Sequence, residues 1–332
     1  MIHADWFPLP ASLAPMLAAP GEPPRGRLAE WAVEMKWDGV RALAFIEGGR
    51  LRLVSRTGKD ITATYPELTG LAGAPGSGPG SEQLLLDGEI VAFADGRPDF
   101  EALQPRMHVS SPEAALRLSR LTPVAYLAFD VLQLDGCPLI ATPYSERRKI
   151  LTAIGSNGPG LLCPPHFPGQ DLDAVRAASV ANGLEGVVAK RLDSPYEPGA
   201  RPGSWRKVKN VLGQEVVVAG WKPGKGNRAG LIGSLLVGVY SDGGLVYCGH
   251  VGTGFSDATL RRLTRLLESL RRPDSPFDGP VPAEHLRPAV WVEPRLVVEV
   301  TFDRWTRAGR MRAPSYQGLR DDKDPADVVR QT

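Results

Sequence analysis

Several things are scarce in this sequence, and each shortage excludes a class of protein. Only three cysteines, Cys137, Cys163 and Cys248, occur in 332 residues, far apart from one another. They make neither an even disulfide set nor a C-x-x-C zinc pair, and as incidental thiols they suit a reducing compartment. No apolar run approaches the ~20 residues that a membrane-spanning helix requires. The opening residues, MIHADWFPLPASLAPML, lack a basic start followed by an apolar stretch, so no secretory signal is expected. No internal repeat is visible. The expectation is a cytoplasmic, monomeric protein without a membrane partner, long enough for two domains.

Net charge is also small, +2, but it is unevenly spread. Residues 201–332 carry 21 lysines and arginines against 14 aspartates and glutamates, or +7, which leaves −5 for the rest. A basic C-terminal third suits a polyanionic partner. Arginine far outnumbers lysine, however, and a GC-rich genome gives the same bias, so composition alone decides little.

The hydrophobic pattern reads as mixed α+β. Strand-like stretches lie at 31–33, 42–46, 51–54, 84–86 with 89–93, and 124–129, and helical patterns at 112–120, 145–154 and 171–182. GAPGSGPGS at 73–81 has the composition of a surface loop. Past Asn210 the texture changes to short strands, 214–221, 233–240, 245–251 and 296–301, around one amphipathic helix expected at 257–272. Leu260, Leu263, Leu266, Leu267 and Leu270 mark the buried stripe of that helix. About five strands and a helix in this space fit an OB-type barrel. The boundary falls near Val211, giving domains 1–210 and 211–332.

The six residues KWDGVR at 36–41 are the most informative in the chain. A lysine at a strand end, partly shielded from water, is a candidate nucleophile. Arg41 has the planar donor fork that suits a phosphate. Asp38-Gly39 is equally well read as a hairpin turn between solvated charges. Other polar residues sit at comparable places. Phe129 reads as the end of a strand, where a ring could stack on a purine or simply pack. Glu89 follows an Asp-Gly pair that reads as a turn. Glu185 lies after a helix-ending glycine and before an apolar strand, at whose far end is Lys190. Lys207 and Lys209 alternate on one strand face, where two cations suit a polyphosphate. Each has an unremarkable structural reading when taken alone.

Their order is specific. KWDGVR, SRTGKDIT, LDGEIVAF, AFDVL, EGVVAKR, WRKVK and the late SYQGLRDDK follow one another as in the ATP-dependent DNA ligases of the covalent nucleotidyltransferase superfamily, which the chain resembles along nearly its whole length. GRAGLIGSLLVGVY and MRAPSYQGLR resemble the small bacterial type and the ligase module of end-joining enzymes.

The resemblance implies an ATP-grasp-like adenylation domain of antiparallel sheets with flanking helices, followed by an OB-fold. It implies that Lys36 takes AMP from ATP and passes it to the 5′-phosphate of nicked double-stranded DNA, with Mg²⁺ or Mn²⁺ as cofactor. By the same carry-over Glu34 lies near the adenine, and Phe129 stacks on it. Arg41 and Glu89 meet the ribose, and Arg56 meets the nick phosphate. Glu185, helped by Asp38, binds metal, and Lys207 and Lys209 hold phosphates. Arg320 and Lys323 grip the leaving pyrophosphate, with Arg312 a further candidate, as the OB domain closes about a hinge at 210–213. Nucleoid association and end-joining or excision-repair partners follow from the same likeness. An RNA ligase or capping-type guanylyltransferase is the nearer alternative, and a non-catalytic nucleic-acid clamp the more distant one.

Overall fold

The structure, a computed structural model, describes residues 7–73, 83–155 and 160–331. Residues 74–81 of the expected glycine-rich loop lie outside these. The described chain divides into two compact units, Met1–Asn210 and Val211–Thr332. Among the described residues no helix is long and apolar enough to cross a membrane.

Two sheets build the first unit. One is formed by β1 (Trp31–Lys36), β6 (His166–Pro168), β7 (Gly186–Arg191) and β8 (Trp205–Lys209), with a two-residue strand at Ala19–Pro20. The spatial order is Ala19–Pro20, β8, β7, β1, β6. The other contains β2 (Val40–Glu47), β3 (Arg50–Ser55), β4 (Gln83–Ala94) and β5 (Val124–Leu134), in the order β3-β2-β4-β5. Three helices of ten or more residues, α1 (Pro112–Leu121), α2 (Tyr144–Ile154) and α3 (Leu172–Ala181), flank them.

This topology removes the hairpin reading of Asp38-Gly39. β1 pairs with β7 and β6, whereas β2 pairs with β3 and β4, so residues 37–39 carry the chain from one sheet to the other. Gly39 is required by proximity, since a Cβ there would stand 2.1 Å from the carbonyl oxygen of Ile90. Asp87-Gly88 is not a turn either. Both residues lie inside the 12-residue β4, and Gly88 makes room for the Tyr126 ring, 2.6 Å from where its Cβ would be.

Alternation along β1 and β7 explains which face carries chemistry. Trp31, Val33, Val187 and Ala189 point away from the cavity and pack with Val208 and with Leu172 and Val175 of α3. Burying each of the larger apolar side chains contributes about 1.5–3 kcal/mol, which fixes the register, and the residues between them must then face the other way.

The second unit is an antiparallel sheet that curls on itself. Its strands are β9 (Leu212–Pro223), β10 (Ile232–Ser241), β11 (Gly244–Val251), β12 (Val290–Phe302) and β13 (Ser315–Leu319). The order is β11-β10-β9-β12, with β13 on β12, and a bridge from Thr253 to Ser315 brings the far edge back to β13. That closure, with α4 (Asp257–Glu268) against it, is an OB-fold.

The helix is shorter than the leucine pattern suggested. It ends at Glu268, and Arg271–Arg272 pair as a short strand with β12. Leu260, Leu263 and Leu267 are buried and Leu270 packs at the margin, but Leu266 stays half-exposed outside the core.

Candidate active site

Three cross-strand rows on the cavity-facing side of β8, β7 and β1 assemble the site. Lys209, Gly186 and Lys36 form the first row, Lys207, Val188 and Glu34 the second, and Trp205, Lys190 and Ala32 the third. Gly186 has φ +148°, and a Cβ on it would meet the Val208 carbonyl at 2.1 Å. Only glycine fits there, because the backbone of Val208 and Lys209 occupies the place of a side chain. The cavity beside these rows is about 220 Å³ and also receives Arg41, Arg56, Glu89 and Phe129. Larger grooves of about 530 and 700 Å³ exist in this unit, but neither contains Lys36.

Lys36 donates to Glu185, whose second oxygen pairs with Lys209 at 3.2 Å. Burial acts to raise the Glu185 pKa, but the two ammonium groups outweigh it and hold the carboxyl below its ordinary value. Glu185 therefore stays an anion at the centre of the cations. Lys207 is pushed down by burial and by the neighbouring charges of Arg201, Lys36 and Lys209.

At the opposite end Glu34 is buried and wholly engaged. It accepts from Tyr144 Oη, pairs with Lys190 at 2.8 Å and lies 3.7 Å from Arg148. Lys190 Nζ also donates to the Phe129 carbonyl at 2.9 Å, and sits 4.7 Å from the Phe129 ring centroid and 4.3 Å from that of Trp205. Burial lowers the Lys190 pKa against the opposing pull of Glu34 and Asp130.

Phe129 is not at a strand end. It lies within β5, where Asp87 pairs with Asp130 and Gly88 with Ala128, so Phe129 is the extra residue of a bulge. Bulges re-aim side chains, and this one turns the ring to the cavity. Asp130 behind it is held by both arms of Arg147, at 2.8 and 2.9 Å.

The Arg41 fork is not open to a phosphate. Nε and Nη2 bind Asp87 at 3.0 and 2.6 Å, and Tyr196 Oη donates to the same carboxylate at 2.7 Å. Burial disfavours the Arg41 charge, but Asp87 more than compensates and raises its pKa. Glu89 pairs across the sheet with Arg41. Withdrawal from water pushes the Glu89 carboxyl up to about 8, against the opposing effects of Arg41 and Lys36. Arg56 is exposed in the tight turn after β3. Asp38 lies in the 37–39 crossover, near enough to Glu89 to help raise its pKa.

Arg320 and Lys323 belong to the second unit. Arg320 binds Asp322 through two hydrogen bonds, of 2.9 and 2.8 Å, and pairs with Glu215 at 2.7 Å, while Lys323 lies 3.5 Å from Glu215.

Sequence reasoning did not single out Asp87, Tyr144, Arg148, Tyr196, Arg201 or Trp205 as site residues. Lys190 was legible in principle, because the alternation that pairs Lys207 with Lys209 also aligns Lys190 with Val188. Trp205 follows from the same rule. Its indole N–H is buried with no acceptor among the described residues.

Two family models and several known proteins match the chain. The family model described as "ATP dependent DNA ligase domain" matches residues 15–209, and that described as "ATP dependent DNA ligase C terminal region" matches 228–323. The multifunctional non-homologous end joining protein LigD of Mycobacterium bovis is 43% identical over 321 residues, covering 96% of this chain and 40% of that protein. The chain thus spans well under half the length of this relative. The crystallised ligase domain from M. tuberculosis LigD is 41% identical with a TM-score of 0.53, covering 96% of this chain and 98% of that one. A mycobacterial DNA ligase D complexed with ATP and MES is 40% identical over the same shares, with a TM-score of 0.52.

Proposed function

The chain belongs to the ATP-dependent DNA ligase family, and from that membership we propose that it seals 5′-phosphate/3′-hydroxyl nicks in duplex DNA through a covalent Lys36–AMP. The observation that carries this reading is the cross-strand convergence of Lys36 and Lys209 on Glu185, with Lys207 in the next row, beside a cavity with an aromatic wall. Lys36 Nζ loses a proton and attacks the α-phosphorus of ATP. An N–P bond forms, the bond to pyrophosphate breaks, and the nucleotide stays on the enzyme. The DNA 5′-phosphate then takes the AMP, and the 3′-hydroxyl displaces it.

Each step is an in-line displacement, so the protein contributes mainly position and charge. Phe129 offers its face to the adenine, with the Glu34–Lys190 pair fixing that end of the cavity. Glu89 meets the ribose, and Arg41, tied to Asp87, acts by orienting that wall. Lys207 and Lys209 neutralise phosphate oxygens, and Arg56 takes the nick phosphate. Arg320 and Lys323 act on the leaving pyrophosphate.

Glu185 and Asp38 supply the oxygen donors that suit Mg²⁺ or Mn²⁺. Among the described residues no group of three or more His, Cys, Asp and Glu could hold a metal. A cation bound by one or two carboxylates would complete its shell with water and phosphate oxygens, and would neutralise phosphate charge there. The names of the LigD relatives support a setting in end-joining repair; work on chromosomal DNA would place the protein on the nucleoid, among other repair proteins. Incubation with α-labelled ATP or GTP, followed by sealing of nicked DNA and RNA, tests the proposal. Covalent AMP and sealed DNA are expected, whereas labelling by GTP alone, or no covalent nucleotide, would overturn it.

A further inference from the structure

Glu215 on β9 and Glu299 on β12 are direct cross-strand partners. Like charges directly opposite each other destabilise a sheet, so this pair needs a counter-charge. Arg320 provides it, 2.7 Å from Glu215 and 3.7 Å from Glu299, and Lys323 adds a second cation 3.5 Å from Glu215. Asp322 binds the remaining side of the guanidinium through two bonds. Arg320 in turn holds the Asp322 carboxyl down, to about 2, so that Asp322 remains charged.

Three carboxylates thus surround two cations, and the cluster as a whole is negative. An anion approaching Arg320 and Lys323 meets side chains whose charge is already spent. The contacts are part-exposed, with Arg320 28%, Lys323 40% and Glu215 17% exposed, so they exchange more readily than a fully buried pair.

We propose that Glu215, with Glu299, is an autoinhibitory positioning residue that parks Arg320 and Lys323 and so weakens their hold on pyrophosphate. This rests on the reading of those two cations given above. Pyrophosphate must displace Glu215 to engage them, which limits both the capture of ATP in the first step and the reversal of that step by product. The acids cost affinity and in exchange keep the adenylated enzyme from being discharged by ambient pyrophosphate.

The test uses the whole chain, first adenylated on Lys36 and then titrated with pyrophosphate. For Glu215→Gln the half-saturating pyrophosphate concentration for AMP release is expected to fall about three- to fivefold, and for Glu299→Gln by less. The KM for ATP should fall with it, while the rate of sealing a pre-adenylylated nick stays unchanged. The effect should shrink at high salt. An unchanged or raised concentration in both variants, as a purely structural or productive role of Glu215 would give, overturns the proposal. Lys323→Ala is the control. If it fails to raise the pyrophosphate requirement, the assignment of Lys323 itself falls; if it raises it while neither glutamine variant lowers it, only the parking role falls.

Discussion

The pairs Arg147–Asp130 and Arg320–Asp322 have the same chemistry and opposite surroundings. Both are two-armed contacts of 2.8–2.9 Å. The first is fully buried behind Phe129, whereas the side chains of the second are 28% and 65% exposed. A buried pair cannot exchange partners without stranding a charge in a low-dielectric interior, so it works as a fixed strut. An exposed pair trades its partner for water or a competing anion at little cost. The wall of the nucleotide cavity is built of struts, namely Arg147–Asp130, Lys190–Glu34 and Arg41–Asp87, while its Lys36–Glu185–Lys209 contacts are part-exposed. The C-terminal cluster is built of replaceable contacts. A rigid wall suits a site that must hold one geometry, and exchangeable contacts suit groups needed in only one step.

The comparison can be broken in order of effect. Lys36→Ala should abolish covalent labelling by ATP, a loss of about 10⁴-fold or more, because the neighbouring lysines on the rigid sheet cannot move into its place. Gel autoradiography measures this, and surviving label would show that another lysine is the nucleophile. Arg147→Met leaves Asp130 buried and unpaired and should cost about 3–5 kcal/mol in chemical denaturation. A loss below about 1 kcal/mol would mean the strut is as replaceable as a surface pair.

Glu89 gives a pH-dependent test. Its folded pKa of about 8 lies above the ordinary 4.5, so the folded state keeps a proton that the unfolded chain releases. Stability must then fall as pH rises from about 4.5 to about 8, with the full penalty present above that. Glu89→Gln should lack this component, and parallel melting curves for the two proteins across the window would contradict the burial of the carboxyl. The smallest effect is expected for Lys323→Ala. Its melting temperature should shift by under about 2 °C, while self-adenylation suffers more than sealing of a pre-adenylylated nick. Equal losses in the two assays would remove Lys323 from the first step.

Local pattern carried much of this molecule and missed some of it for definite reasons. The alternation in WRKVK is enough to put Lys207 and Lys209 on one face, because period two is a property of the strand itself. Phe129 was misread as terminal because its bulge depends on the register with β4, which no local pattern encodes. Arg271–Arg272 likewise left the helix for a strand because β12 offers them a partner. Tyr144, Arg147 and Arg148 look like an ordinary helix start, and only the packing of α2 behind β5 turns them toward Glu34 and Asp130.

What the sequence by itself determined was the strand alternation, the ordered polar motifs and the change of texture at 210, since each depends on neighbours a few residues apart. What tertiary structure alone decided was the conformation of KWDGVR. Asp38-Gly39 could have closed a hairpin, but the pairing partners of β1 and β2 lie over a hundred and about ten to fifty residues away, in different sheets. Burial of the apolar faces selects those partners, and that selection places Lys36 against Glu185, 149 residues further along the chain.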